Sequence, residues 1–164
     1  MELPDPLIAE AEALLAAYRA AKLRLVTAES CTGGLVAACL RAIPGSSDVV
    51  ERGFVTYSNE AKIELIGVPA EQIDKHGAVS AQVARAMAEG ALAHSRADVA
   101  VAVTGIAGPG GETPGKPVGL VYLCCVRKGA EPVVERHQFH GDRHEVRLAS
   151  VETAFTLLRQ QLES

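Results

Sequence analysis

The stretch Val26-Thr27-Ala28-Glu29-Ser30-Cys31-Thr32-Gly33-Gly34 decides how this chain is organised. Residues 23–28 form an apolar run that predicts a buried strand. Residues 35–43 are apolar and rich in helix formers, so they predict a helix directly after the turn. A hydroxyl-rich turn with two glycines, placed between a strand and a helix, leaves backbone N–H groups directed outward. We therefore expect this turn to hold an anion, or to present Ser30 beside donors for an oxyanion.

Composition limits the class of protein. The 164 residues fit one domain, predicted to span residues 1–164, with 48% hydrophobic and 22% charged residues. The net charge of -4 and the lack of a basic stripe argue against a nucleic-acid binder. The acidic N-terminus does not have the layout of a signal peptide, and no apolar stretch approaches the ~20 residues that span a bilayer. We therefore expect neither a membrane nor a nucleic acid as partner.

Cysteine and histidine spacing gives no sign of a metal. The four cysteines, at positions 31, 39, 124 and 125, form no zinc-type spacing. Cys124 and Cys125 are neighbours on one predicted strand, so they point to opposite faces of a sheet. We interpret all four as reduced thiols of a cytoplasmic protein. No metal and no cofactor is expected. Low aromatic content, at 4%, together with apolar helices favours a homo-oligomer.

Hydrophobic periodicity predicts alternating helices and strands. Helices are predicted over residues 5–21, 35–43, 59–66, 70–75 and 81–95, and a last helix follows Asp142. Strands are predicted over residues 23–28, 49–57, 98–103, 118–127 and 132–139, the last two as a hairpin. Ser58, Ser80 and Asp142 are predicted N-caps, the last in a capping box with Glu145. The expected fold class is α/β, a three-layer α/β/α sandwich around a mixed sheet of about five strands.

Three loops with reactive side chains follow predicted strands, at residues 29–34, 57–62 and 104–116. If those strands run parallel, their carboxyl ends bring the loops together at one edge of the sheet. Ser30, Tyr57, Lys62 and Thr104 are then within reach of one another. Five glycines or prolines fall within residues 105–111, which suits close approach of backbone to a ligand, although this loop is neither a Walker loop nor GxGxxG.

Ser30 needs a base if it is to act as a nucleophile. None of the five histidines lies at the end of a predicted strand beside a carboxylate, so a Ser-His-Asp triad is poorly supported. Lys62 is the better partner, because burial can lower the pKa of a lysine from about 10.4 far enough for base catalysis. Tyr57 is expected to bridge Ser30 and Lys62 by hydrogen bonds or to help protonate a leaving group.

Each of these residues also has an ordinary structural interpretation. Ser30 can be only an N-cap, and Lys62 a solvated helix lysine. Tyr57 can be a strand-end aromatic with its hydroxyl in water, and Thr104 can simply cap a turn. Cys31 is either a competing nucleophile or small packing material. From the residues alone, these alternatives stay open.

Several motifs in combination resemble the CinA C-terminal domain family. The motifs are Ala28-Glu29-Ser30-Cys31-Thr32-Gly33-Gly34, Tyr57-Ser58-Asn59-Glu60-Ala61-Lys62, Gly77-Ala78-Val79-Ser80, Val103-Thr104-Gly105-Ile106-Ala107-Gly108-Pro109-Gly110-Gly111, Lys116-Pro117-Val118-Gly119 and Gly141-Asp142-Arg143. They occur in the family's order over nearly the whole chain. The segment Gly111-Glu112-Thr113-Pro114-Gly115 departs from the family pattern. The N-terminal domain of longer CinA proteins is missing, so we expect the stand-alone form.

The resemblance implies hydrolysis of nicotinamide mononucleotide (NMN) to nicotinate mononucleotide and ammonia, without metal or cofactor. By that analogy Ser30 is the nucleophile, Lys62 its base and Tyr57 an assisting hydroxyl. Residues implied to bind substrate are Cys31, Thr32, Gly33, Gly34, Thr104, Gly105 and Arg143. The alternative from a different class is a nucleotide-binding regulatory module without turnover, because glycine-rich loops bind phosphate whether or not chemistry follows.

Overall fold

Six α-helices and five strands make up the part of the chain that the computed structural model describes, residues 2–163. In chain order they are α1 (Asp5–Ala21), β1 (Leu25–Glu29), α2 (Leu35–Arg41), β2 (Val50–Val55), α3 (Asn59–Ile66), α4 (Ala70–His76), α5 (Ala81–Ala93), β3 (Val99–Gly105), β4 (Leu120–Arg127), β5 (Val133–Gln138) and α6 (Arg143–Gln160). A short 3-10 turn, Ser46–Asp48, precedes β2.

The strands form one mixed sheet in the order β2-β1-β3-β4-β5. The central strand β1 runs parallel to both β2 and β3, while β4 and β5 continue the sheet as an antiparallel hairpin. Glu29, the last residue of β1, lies beside Val55 of β2 and Val103 of β3. The carboxyl ends of the three parallel strands therefore meet at one edge, as the sequence predicted.

Helices cover both faces of the sheet. Alternate residues of the inner strands enter two separate cores, one shared with α1, α2 and α6 and the other with α3, α4 and α5. Cys125 belongs to the first core and Cys124 to the second, so these neighbours do point to opposite faces. Because β1 and β3 are buried on both faces, they are continuous apolar runs rather than alternating ones. The predicted three-layer α/β/α class is confirmed.

The predicted caps are also confirmed, whereas several element ends differ. Ser58 and Ser80 accept from the N–H groups of Ala61 and Val83, and Asp142 forms the capping box with Glu145. α2 ends two residues before the predicted boundary, and β2 ends at Val55, also two residues before its predicted end. No helix within residues 2–163 is long and apolar enough to cross a bilayer.

Candidate functional site

Ser30 continues the sheet by one residue before the chain turns into α2. Its N–H donates to the carbonyl of Val103 at 3.0 Å, and the N–H of Thr56 donates to the carbonyl of Glu29 at 2.8 Å. These two bonds tie the ends of all three parallel strands together around Ser30. The Ser30 side chain is 7% exposed and lines a pocket at this edge.

The N-terminus of α2 is filled by a carboxylate of the protein itself. Glu29 is buried and accepts from the hydroxyl of Thr32 and from the N–H groups of Val36 (2.9 Å) and Ala37 (3.1 Å). Burial raises the pKa of Glu29. The hydrogen-bond donors have a smaller, opposite effect, because they stabilise the carboxylate. The expectation that this helix end holds an external anion is therefore wrong, because Glu29 already occupies the position.

Few N–H groups of the turn remain for an oxyanion. The N–H of Ser30 is used by Val103, and that of Gly33 donates to the carbonyl of Ser30 at 3.0 Å. Among the described residues, no oxygen accepts from the N–H of Cys31 or Thr32. The predicted set of donors from residues 30–34 is thus reduced to Cys31 and Thr32. Gly33 and Gly34 instead supply the positive φ angles, 62° and 103°, that the turn requires.

Lys62 lies inside the protein and not in solvent. Ser58 caps α3, and Lys62 faces inward one turn later with a side chain that is 1% exposed. Its Nζ lies 3.1 Å from the Ser30 Oγ, 2.8 Å from the Thr56 carbonyl oxygen and 3.1 Å from the Tyr57 carbonyl oxygen. Burial lowers the pKa of Lys62 to about 8, with a smaller opposing effect from the Cys31 thiol.

These three neighbours orient the amine of Lys62. A carbonyl oxygen can only accept, so Thr56 and Tyr57 must each receive an N–H. When the amine is neutral it has two N–H bonds and one lone pair, and the third direction is toward the Ser30 hydroxyl. The arrangement therefore directs the lone pair of a neutral Lys62 at the proton of Ser30, which is what a general base requires.

Tyr57 contacts Lys62 through its backbone. The Tyr57 side chain is 73% exposed and lines the pocket at its edge. The described part of the chain contains no hydrogen bond from its hydroxyl to Ser30 or Lys62, so the expected bridge is absent, and the Tyr57 carbonyl oxygen contacts Lys62 alone. The hydroxyl is free to meet a bound molecule.

The pocket has a volume of about 400 Å³ and runs from Ser30 and Lys62 to the glycine-rich loop of residues 105–111. Thr104 is buried, and its hydroxyl donates to the carbonyl of Ala78 at 2.9 Å, which fixes the turn before α5 as one wall. Gly105 has no room for a side chain, since an added Cβ would lie 2.8 Å from the carbonyl oxygen of Leu120. Both residues shape the pocket by backbone contacts that a sequence motif cannot specify.

Arg143 lines this pocket beside the glycine-rich loop. It is the first residue of α6, and its Nη1 donates to the carbonyl of Gly108 at 2.8 Å. It also lines an adjoining cavity of about 530 Å³ together with Glu112 and Asp142. A guanidinium at the end of a glycine-rich loop is suited to bind a phosphate, because both offer N–H donors.

Two functional contacts were not found by sequence reasoning. The Glu29 carboxylate accepts from the N–H of Val36 and so connects the turn to α2. Arg147 donates from Nη2 to the carbonyl of Thr32 at 3.0 Å. A carboxylate a few residues before a predicted helix is a recognisable capping signal that could have indicated Glu29. Arg147 gives no local signal, because its contact spans 115 residues of sequence.

Cys31 is poorly suited to act as the nucleophile. Its side chain is 7% exposed, and burial raises the pKa of its thiol to about 12, so the thiol stays protonated. No group of three or more His, Cys, Asp or Glu side chains that could hold a metal ion occurs within residues 2–163. The groups available for chemistry are thus the serine, the buried lysine and the N–H groups of the turn.

The fold and the site together define a class: a mixed α/β domain with a Ser–Lys pair at the carboxyl edge of its parallel strands. A model of the CinA C-terminal domain matches residues 8–162, and the chain belongs to this family. It is 49% identical over 141 residues to a putative competence-damage inducible protein of Caldicellulosiruptor bescii. It is also 54% identical over 144 residues to a CinA-like protein of Citrifermentans bemidjiense.

These alignments cover 86% and 88% of the chain, which spans about a third (34% in both cases) of the length of the two relatives. Two solved structures have the same fold over all or nearly all of their length. The competence/damage inducible protein CihA of Agrobacterium tumefaciens aligns with a TM-score of 0.95, at 46% identity and with 100% of both chains covered. A CinA superfamily protein of Klebsiella pneumoniae aligns with a TM-score of 0.92, at 36% identity and with 96% of this chain and 98% of that chain covered.

Proposed function

We propose that this domain is a metal-independent amidohydrolase that converts nicotinamide mononucleotide and water to nicotinate mononucleotide and ammonia. The observation that carries the proposal is the position of the Lys62 Nζ, 3.1 Å from the Ser30 Oγ and held there by two carbonyl oxygens. The same site suits acyl transfer in general. The family resemblance narrows the substrate to the nicotinamide carboxamide.

Acylation begins when the neutral Lys62 takes the proton of Ser30 and the Ser30 oxygen attacks the carboxamide carbon. The N–H groups of Cys31 and Thr32 receive the negative oxygen of the tetrahedral intermediate, and losing one such donor typically costs about 3–4 kcal/mol. The Lys62 ammonium then gives its proton to the departing nitrogen, with the exposed Tyr57 hydroxyl assisting at the rim. Protonation matters here because the amide nitrogen leaves as ammonia.

Deacylation uses the same lysine. Once ammonia has left, Lys62 is neutral again and its lone pair faces the acyl-serine, where a water molecule replaces the departed nitrogen. Lys62 takes a proton from this water, whose oxygen attacks the ester carbon, and returns the proton to the Ser30 oxygen. The products are nicotinate mononucleotide and free Ser30. Arg143 and the N–H groups of Gly108, Gly110 and Gly111 bind the phosphate during both steps.

The test is the release of ammonia from NMN by the purified protein and by two variants. Ser30→Ala and Lys62→Met are each expected to lose at least a thousandfold in kcat, since both residues act in every turnover. Ser47→Ala and Lys75→Met, at exposed positions outside the pocket, are the matched controls and keep full activity. Full activity in Ser30→Ala rules out the assigned nucleophile.

A nucleotide-binding module without turnover is the second candidate. The glycine-rich loop and Arg143 favour it, because they line the pocket independently of the Ser–Lys pair. Calorimetry with NMN separates the two functions: binding without any release of ammonia, by a protein that is fully folded, supports the module and excludes the hydrolase.

A further inference from the structure

Helices α3 and α5 touch through their backbones at one glycine. Gly90, in the last turn of α5, lies against Ile66, the last residue of α3. A Cβ added to Gly90 would lie 1.9 Å from the carbonyl oxygen of Ile66 and 3.0 Å from its carbonyl carbon. No side chain fits between the two helices, so the absence of one at residue 90 is what allows them to pack at this depth.

The same contact determines where Lys62 lies. Ile66 follows Lys62 by one turn on the inward face of α3, and both side chains are buried. The end of α3 is closed by an N–H bond from Val68 to the carbonyl of Lys62 at 3.1 Å. α3 is only eight residues long, so a shift at Ile66 is carried to Lys62 by the whole helix.

The end of α5 supports the contact from the other side. The Gly90 carbonyl lies 2.8 Å from Nδ1 of His94, and a Cβ on Gly67 would lie 3.3 Å from the ring of His94. Gly67 has a φ of 66°, which turns the chain away directly after α3. The C-terminus of α3 is therefore held between Gly90 and His94, with little freedom to move toward or away from the sheet.

We propose that Gly90 is a positioning residue for the reaction: by letting α3 lie directly on α5, it sets the distance from Lys62 to Ser30 and the burial of the amine. This inference rests on the proposed function. A methyl group at residue 90 must push the Ile66 carbonyl outward by more than 1 Å to reach ordinary van der Waals contact. The Lys62 Nζ would follow, and its 3.1 Å contact with Ser30 would exceed hydrogen-bond range.

Burial is the main influence on the Lys62 amine, so its protonation reports the position of α3. The neighbouring titratable group is the Cys31 thiol, which stays protonated and so carries no charge where Lys62 titrates. Charged side chains of α3 and α5 around this contact are exposed, namely Glu60, Glu64, Arg85 and Glu89. On β1 the Glu29 carboxylate is taken up by α2, and on β2 Arg52 pairs with Glu51. A shift of α3 that admits water therefore raises the pKa of Lys62.

The experiment titrates Lys62 directly, by the NMR shifts of the labelled lysine side chains, with Lys62→Met used for assignment. In the unaltered protein the pKa is about 8. In Gly90→Ala we expect it to rise by at least one unit toward the ordinary value of about 10.4, which lowers the neutral fraction at pH 7 about tenfold. kcat for ammonia release from NMN falls by the same factor or more, while KM stays within twofold.

Val126→Ala is the matched control. It removes apolar volume from the same core, on β4, without touching α3, so it lowers stability but leaves the Lys62 titration unchanged. A folded Gly90→Ala protein with an unchanged Lys62 pKa overturns the proposal. If Gly90→Ala does not fold, Ile66→Ala decides: it removes the buried side chain that holds the end of α3 beside Gly90, so it must also raise the pKa of Lys62, and an unchanged value overturns the proposal.

This readout is independent of turnover. If the unaltered protein releases no ammonia from NMN but Lys62 still responds to Gly90→Ala, the proposed function fails and the positioning role stands. If the protein is active and Lys62 does not respond, the positioning role alone fails.

Discussion

The Glu29 carboxylate accepts a hydrogen bond of 2.5 Å from the Thr32 hydroxyl, across the turn that carries Ser30. The same carboxylate accepts from two N–H groups of α2, so one buried side chain ties the end of β1 to the start of the next helix. The nucleophile is thereby attached to a rigid support on the side away from Lys62.

Glu29→Gln is expected to destabilise the protein by about 1–3 kcal/mol, because an amide group cannot accept from both Val36 and Ala37 and leaves a buried donor unpaired. Urea unfolding at pH 7 measures the loss. Glu12→Gln, at an exposed position of α1, is the control and stays within about 0.5 kcal/mol of the unaltered protein. Equal stability of Glu29→Gln and this control would contradict the assigned role.

The overall fold was predictable because hydrophobic periodicity marks elements that are buried on one or two faces. The convergence of Ser30, Lys62 and Thr104 was predicted only on the condition that β1, β2 and β3 run parallel, which periodicity by itself does not show. Strand order is determined by packing between residues distant in sequence. Periodicity permits several strand orders and directions, and the structure has β1 between β2 and β3 with all three parallel, so the three loops meet at one edge.

The interior contacts of the site were least predictable. As a charged residue, Glu29 is unusual in a buried strand. Its role is visible only in the hydrogen bond that it accepts from the N-terminal turn of α2. Gly90 has a low helix propensity, so the sequence alone gives no reason for it in α5. The reason is visible only in its backbone contact with Ile66. Tyr57 was expected to act by its hydroxyl, whereas its carbonyl oxygen contacts Lys62. In each case the function depends on where an atom points.

The pH dependence of the reaction follows from the buried lysine. Lys62 must be neutral to act as base and has a pKa of about 8, so kcat/KM for NMN is expected to fall tenfold for each pH unit below that value and to level off above it. Initial rates between pH 6 and 9.5 at constant ionic strength measure this. A rate that is constant from pH 6 to 8 would exclude Lys62 as the base.

Stability changes with pH for the same reason. The pKa of Lys62 is lowered from 10.5 to about 8 on folding, so between these values the unfolded chain binds more protons than the folded one. The free energy of unfolding, relative to that of Lys62→Met, is therefore expected to rise between pH 8 and 10.5 and to be constant below pH 7. Urea unfolding at pH 7, 8.5 and 9.5 tests this. Lys75→Met, at an exposed position, is the matched control.

Cys31 is expected to be dispensable for the reaction. Burial keeps its thiol protonated, with a pKa of about 12, so Cys31→Ala should retain kcat within about threefold. The matched variant is Ser30→Ala, which removes an oxygen from the neighbouring position and should be inactive. Incubation with iodoacetamide at pH 7.5 is likewise expected to leave the rate unchanged. A hundredfold loss of kcat in Cys31→Ala would indicate that the Cys31 thiol, and not Ser30, is the nucleophile.

Arg143 provides the sharpest test of which part of the substrate each loop binds. Its guanidinium is anchored on the carbonyl of Gly108 and lines the pocket beside the glycine-rich loop, where a phosphate can meet it. A hydrogen bond to a charged group is worth about 1.5–3 kcal/mol, so Arg143→Met should raise KM for NMN roughly 10- to 150-fold and leave kcat nearly unchanged. Nicotinamide riboside lacks the phosphate, and its KM should rise less than threefold. Arg136→Met, on the exposed strand β5, changes neither value. Equal losses for the nucleotide and the riboside would show that Arg143 supports the loop and does not bind the phosphate.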